Sequence, residues 1–484
     1  MRYIRGESRD QLTMMAMCLD DYISDNNICR IIAAYVNSLN MENLGFKYAQ
    51  TKETGRPPHD PANMLMLYMY GYLNRIRSSR CLETETKRNI EVMWLMEKVT
   101  PNSKTICNFR KDNATALKLV FREFSLWCNR QGLYGRELIA VDGTKIRANN
   151  SRRNVHTKKN TELFLAETEK KINEYMNKLV ENDKFDQSEQ EPSSRAIHEA
   201  LQRLSERKAQ LEGWRERIEL NNGASIAKID PDCKIMKQGG NARPLDACYN
   251  VQTVVDEKNK LIVDFEVTNC PDEKGALPKM TEAAKKIMGV SQITVLADKG
   301  YYDPADLMEC EKNQTTCFVS SMISGVRAPD PTFDHNTFQY DKERDCYICP
   351  LGKDILFKRI KKMSNKLIGR EYHNSKACYD CPMHDKCTKG KRARAIFRNP
   401  NQDALDAVDA RMCTDAGKSL YKKRKEIVEH PFGTTKRSWG FSNFLCRKLD
   451  KTTGEQSLVF FAYNFRRVIN IFKESGSDLM SALI

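Results

Sequence analysis

Two short runs, "LIAVD" ending at Asp142 and "ITVLAD" ending at Asp298, constrain this chain more than any other feature. Four or five apolar residues without alternation suit strands covered on both faces. Between the runs lie "DACYNVQTVVDEKNKLIVDFEVTN", two β-rich stretches joined by the turn "DEKNK", and "ALPKMTEAAKKIMGV", an amphipathic helical pattern. Strand, hairpin, helix and strand in this order predict a mixed α/β sheet. Ligands of open α/β sheets gather where strands end, and each run places an aspartate there. An aspartate after a strand also serves simply to cap the next turn.

Two carboxylates on neighbouring strands repel and call for a cation, and hard oxygen ligands suit magnesium or manganese. Two such ions a few ångströms apart can activate an attacking oxygen and stabilise the leaving oxygen of a phosphodiester. Asp298 is then a metal ligand, and Gly300 keeps its approach open. A third carboxylate is available in "YKKRKEIVEHPFGTTKRSWGF", where Glu426 and Glu429 both qualify.

The flanks read differently. Residues 1–135 carry apolar positions at three and four spacing in "NICRIIAAYVNSL" and "NMLMLYMYGYLNRI", which predicts a helical domain. A further helix starts near "TPNSKTICNFRKDN", capped by Asn102 or Ser103, and offers Lys104, Arg110 and Lys111 to phosphates or to solvent. Residues 158–222 form a charged helical hairpin, with Ile172, Met176 and Leu179 on one arm and Ile197, Leu201, Leu204 and Leu211 on the other. The turn is "NDKFDQSEQEPSS". This hairpin interrupts an α/β domain built from 136–157, 223–325 and 405–484. Residues 326–404 read as a loop-like, cysteine-rich insertion.

An excess of 79 Lys and Arg over 64 Asp and Glu gives a net charge of +15, which favours a polyanionic partner. No apolar run reaches the length of a membrane span, and "MRYIRGESRD" lacks the apolar core of a signal peptide, so a cytoplasmic protein without membrane contact is expected. Most of the 17 cysteines are expected to be reduced core residues. Cys346 and Cys349 in "CYIC", with Cys378 and Cys381 in "CYDC", are spaced for one structural zinc, and Cys387 lies close by.

"VDGTK", "LADKGYYD" and "VEHPFGTTKRSWGF", in this order, resemble the three acidic blocks of insertion-sequence DDE transposases. "GRPPHDPANMLMLYMYGYLNRIRSSRCLE" resembles the helical amino-terminal domain of that family, and "YNVQTVVD" one of its sheet segments. The resemblance implies an α/β fold with a ribonuclease H-like mixed sheet flanked by helices, the helical hairpin and the cysteine-rich segment being insertions. It implies the catalytic residues Asp142, Asp298 and Glu429, binding two Mg²⁺ or Mn²⁺ ions.

The family spaces a tyrosine, an arginine, the glutamate and a lysine by two, three and six residues. Tyr421 and Arg424 keep the first interval, and Glu429 and Lys436 the last, but four residues separate Arg424 from Glu429. Helical periodicity therefore favours Lys425 over Arg424 for the basic role, with Pro431 expected to disturb the helix. Lys436 is similar to the family lysine that holds a phosphate, and Trp439 either stacks on an unpaired base or packs in the core.

The partners implied are double-stranded DNA, at terminal inverted repeats and at a target, and a second copy of the chain, in a bacterial, nucleoid-associated setting. The activity implied is phosphodiester hydrolysis followed by strand transfer. A DNA-end-binding protein or repressor without chemistry, and a nuclease of the same fold, are the alternatives.

Overall fold

The computed structural model describes residues 18–50, 57–151, 154–182, 194–220, 225–237, 245–321, 329–334, 337–362, 368–390 and 393–483. Six helices come first: α1 (Ile28–Asn37), α2 (Pro61–Leu73), α3 (Ser79–Arg88), α4 (Ile90–Leu95), α5 (Ser103–Asp112) and α6 (Ala114–Arg130). Polar side chains start most of them. Asn27, Asp60, Ser78, Asn89 and Asn102 each accept a backbone N–H of the first turn, and Pro61 opens α2 behind Asp60. α2 is buried on almost every side, as an all-apolar helix must be.

The central sheet contains β1 (Leu138–Arg147). After it come the two-residue strand β2 (Val155–His156), helices α7 (Lys158–Asn182) and α8 (Ser194–Leu220), and strand β3 (Ile226–Ala227), which pairs with β2. The sheet continues with β4 (Lys234–Lys237), β5 (Leu245–Asp256), β6 (Ile262–Thr268), β7 (Ile293–Ala297) and β8 (Thr315–Val319). α9 (Ala276–Met288) crosses between β6 and β7, and α10 (Pro304–Lys312) between β7 and β8. The strand order is β4-β5-β1-β7-β8, with β6 also on β5. β5 is antiparallel to β1 and to β6, whereas β7 is parallel to β1 and β8 to β7. The hairpin expected from "DEKNK" is β5–β6, and the expected amphipathic helix is α9, closed by Gly289 at φ +70°.

α7 and α8 pack against each other as an arm beside the sheet. Lys208 meets Glu169 across them at 2.9 Å, and His156 stacks on Trp214 at the base. Ile197 and Leu211 are buried as the pattern requires, but Met176 is largely exposed because the arm is only two helices thick. Most of the expected turn lies outside the described residues.

The segment expected to be loop-like is a second sheet of five strands. β9 (Gln339–Asp341), β10 (Cys346–Ile348), β11 (Asp354–Lys362), β12 (Ile368–His373) and β13 (Ala395–Arg398) form an antiparallel ladder, with short helices α11 (Ser375–Tyr379) and α12 (His384–Cys387) inserted. Charge hid these strands: "DILFKRIKK" is exposed along most of its length, so it lacks the alternation that marks a half-buried strand.

The chain finishes with α13 (Gln402–Cys413), α14 (Asp415–Phe432), α15 (Leu449–Ser475) and α16 (Leu479–Leu483). α15 runs between the amino-terminal helices and the sheet. Its Phe461 and Phe465 meet Tyr35 and Phe124, while its Phe460 meets Phe265 of β6. Helices and sheet therefore share one hydrophobic core. No described helix is long and apolar enough to cross a membrane.

Candidate active site

The parallel register of β1 and β7 pairs Val141 with Ala297, so Asp142 and Asp298, the next residue on each chain, stand side by side. Asp142 is not at the end of its strand, as the run "LIAVD" suggested. β1 continues to Arg147 on the antiparallel support of β5, and Asp142 marks the point where the parallel support of β7 stops. Asp298 is also the cap of the short 3-10 turn Lys299–Tyr301, accepting the Gly300 N–H at 2.8 Å. Behind that turn the buried Tyr301 hydroxyl donates to Gln252 of β5.

A fourth carboxylate, absent from the reading of the sequence, joins them. Glu273 precedes α9, and a Cβ added at Gly300 would lie 1.8 Å from its Oε2. Gly300 thus does more than leave the approach open: it makes room for the Glu273 carboxyl beside Asp298. Topology could have revealed this residue. β6 runs parallel to β1, so the loop after β6 emerges at the same end of the sheet as Asp298.

Electrostatics reflect this crowding. Burial pushes the Asp142 carboxyl up to about 6; Arg424 opposes that shift, while Asp298 and Glu429 add to it. Glu273 is pushed up to about 7, first by burial and then by the charges of Asp298 and Asp142. Both folded values lie above the ordinary carboxylate range, so the metal-free protein binds extra protons and is most favoured in mild acid. That stability is lost as pH rises through about 6 to 7. In metal-free protein the stability is therefore expected to fall between about pH 5 and 8, by an amount on the order of 2 kcal/mol, and added Mg²⁺ should restore it most at the alkaline end. Thermal melts with and without Mg²⁺ check this, and a Mg²⁺ effect confined to the acid end would contradict it.

α14 lies across β1 and presents Arg424, Ile427, Val428 and Pro431 inward. The Arg424 Nη1 stands 3.8 Å from the Asp142 Oδ2 and has no hydrogen-bond partner. This corrects the preference for Lys425. Lys425 does share a helical face with Glu429, but it is the wet face, and both side chains are exposed. Glu429 sits at the rim, near enough to raise the Asp142 carboxyl. Glu426 turns away to Lys260, at 3.4 Å. Tyr421 lies one turn earlier, its ring 6.0 Å from the Arg424 guanidinium.

Pro431 does not break α14, which runs to Phe432 and then widens into a π-helical segment, Gly433–Ser438. The hydroxyls of Thr434 and Thr435 donate to the carbonyls of His430 and Pro431, satisfying backbone groups at the irregular turn. This segment carries Lys436 back to β1, where its Nζ donates to Thr144 Oγ1 at 2.8 Å and to the Lys145 carbonyl at 3.1 Å. Trp439 is half-buried against the main core.

Other expected residues lie elsewhere. Arg110 is 3% exposed and donates to Tyr72 and to the Arg77 carbonyl, so it is a core residue and not a phosphate contact. Lys104 and Lys111 are exposed on α5, far in sequence from the carboxylates. Cys346 is buried in β10 and stands apart from Cys349, Cys378 and Cys381. Among the described residues, no three His, Cys, Asp or Glu side chains stand close enough to hold a metal ion as they are.

Residues 348–469 match the family described as transposase DDE domain, and residues 17–112 match the transposase domain DUF772. The two family matches indicate an insertion-sequence DDE transposase. The first match contains Glu429 and Lys436 but neither Asp142 nor Asp298. The piggyBac transposase, in a cryo-EM structure of its synaptic complex with hairpin DNA, is a distant structural neighbour. It has 9% identity, covers 94% of this chain and 78% of that one, and gives a TM-score of 0.32, too slight a likeness to carry an argument. No curated protein matches significantly.

Proposed function

We propose that this transposase binds the terminal inverted repeats of its own element, hydrolyses a phosphodiester at each end, and joins the freed 3′-hydroxyl to target DNA. The observation that carries the proposal is the side-by-side placement of Asp142 and Asp298, with Glu273 and Glu429 charged against them. Four carboxylate-bearing side chains grouped where the parallel pairing of β1 and β7 stops supply hard oxygen donors, which fits Mg²⁺ or Mn²⁺. Asp142, Asp298 and Glu429 would hold two such ions, the rim carboxylate turning inward to close the set. When bound, the ions supply activation of the attacking oxygen and stabilisation of the leaving oxygen.

The protein's own groups do the rest. Arg424 neutralises Asp142 while the site is unloaded and can move to a backbone phosphate of the bound end. Lys436, braced on β1, holds the phosphate next to the cleaved bond. Water attacks first and the 3′-hydroxyl second, and no covalent protein intermediate forms. Support for reading the sheet as ribonuclease H-like comes from its three adjacent parallel strands, β1, β7 and β8, beside the antiparallel pairs β1–β5 and β5–β6. The excess of basic residues favours DNA as partner, and two ends to be cut and joined favour a homodimer.

Arg424→Ala is expected to lower strand cleavage about 10²-fold, whereas Lys425→Ala should change it less than about threefold. Single-turnover cleavage of a labelled end measures both, and the reverse ranking would restore Lys425 to the basic role. The proposal itself is tested by incubating wild-type protein, Mg²⁺ and a labelled terminal-repeat duplex with target plasmid. Cleaved but never joined strands would make it a nuclease; binding without cleavage would make it an end-binding protein.

A further inference from the structure

The second sheet cannot stand on its own apolar core. Its buried hydrophobic cluster is Phe338, Tyr347, Ile355, Tyr372 and Ile396, few side chains for five strands and two short helices. Against this cluster lies a cavity of about 30 Å³ walled by Cys349, Cys378, Cys381 and Cys387. The four thiols are free, and those of Cys378 and Cys387 are near enough to Cys349 and Cys381 to interact electrostatically. Cys346 faces the charged side of the ladder, among Arg344, Asp341 and Asp354.

Burial by itself pushes the Cys378 and Cys387 thiols up, and N–H donors and a guanidinium stand against that. Cys349 sits on a tight turn closed by Gly352 at φ +73°, where the Lys353 N–H donates to the Cys349 Sγ at 3.3 Å. A backbone N–H of Arg394 donates to Cys378. The Arg394 guanidinium is 7% exposed, donates to the Cys387 carbonyl, and leaves its Nε without a partner. Among the described residues it has no carboxylate counterion. A buried cation beside four neutral thiols is uncompensated, whereas beside a metal tetrathiolate it is paired.

We propose that Cys349, Cys378, Cys381 and Cys387 bind one structural zinc ion that pins β10–β11 to α11 and α12. Four thiols release four protons and become thiolates, which with Zn²⁺ leave a net charge of −2 next to Arg394. Bonds of about 2.3 Å draw the thiols inward from their present spacing. The site leaves no open coordination position, so it is independent of the carboxylate chemistry.

The test uses full-length protein without a metal-binding tag. Elemental analysis should find one zinc per chain, lost in Cys381→Ser and in Cys387→Ser and kept in Cys346→Ser. In native protein, a chelator should expose four further thiols to a colorimetric thiol reagent. Should the serine variants fail to fold, Co²⁺-substituted wild type decides, with intense thiolate-to-cobalt absorption and tetrahedral visible bands. Zinc-free wild type that still folds would overturn the proposal. So would loss of zinc in Cys346→Ser but not Cys387→Ser, or an octahedral cobalt spectrum.

Discussion

Asp142→Asn is expected to lower Mg²⁺-dependent strand cleavage by at least about 10³-fold, or ~4 kcal/mol of transition-state stabilisation, while changing DNA-end binding by less than about twofold. Asparagine keeps the size of the side chain and its contact with the Gly143 N–H, which donates to Asp142 Oδ1 at 2.9 Å. What it removes is a charge forced into a buried position between Asp298 and Arg424. The same substitution should leave the metal-free protein at least as stable at pH 8, because it relieves burial and repulsion of a charge that Arg424 offsets only in part. Cleavage kinetics and thermal melts on one preparation check both halves. A variant that loses activity by unfolding would show the opposite melt.

Glu455→Ala is expected to cost about 3–5 kcal/mol of stability, the usual result of orphaning one partner of a buried ion pair. Glu455 is fully buried on α15, accepts from Arg77 at 3.0 Å, and also accepts the backbone N–H groups of Leu445 and Cys446. Arg77 in turn donates to the Asn443 carbonyl and lies over the Phe441 ring. The strand-like segment after the π-helix is thereby held against the end of β1, where the Arg147 N–H donates to the Ser442 carbonyl and the Phe444 N–H donates to the Arg147 carbonyl. Glu455→Gln retains acceptors for the two N–H groups and should cost less. Denaturant unfolding of the two variants measures the difference; equal, small losses would mean the pair is not structural.

Much of this was legible in the chain. Asp142 and Asp298 stood out because short uninterrupted apolar runs suit strands covered on both faces, and a charge at the end of such a run faces a ligand or a turn. That Asp298 caps a turn was not separable in sequence from the metal-binding expectation, since both use the same carboxylate. Arg424 was misjudged because helical spacing gives relative faces but not which face a helix turns to the sheet; burial of Ile427 and Val428 decides that. Glu273 was missed because the loop holding it carries no hydrophobic pattern. The second sheet was missed because its strands are charged and short, and Cys346 was grouped with Cys349 by spacing alone, although alternation in β10 sends the two apart.

The most direct test of the account compares wild type with Asp298→Asn on a labelled duplex bearing the element's terminal repeat, with Mg²⁺ and target DNA. Wild type should give cleaved and joined products and the variant neither, with equal binding of the end by both. Cleavage or joining retained by Asp298→Asn would contradict this, because the chemistry would then lie away from the paired aspartates of β1 and β7.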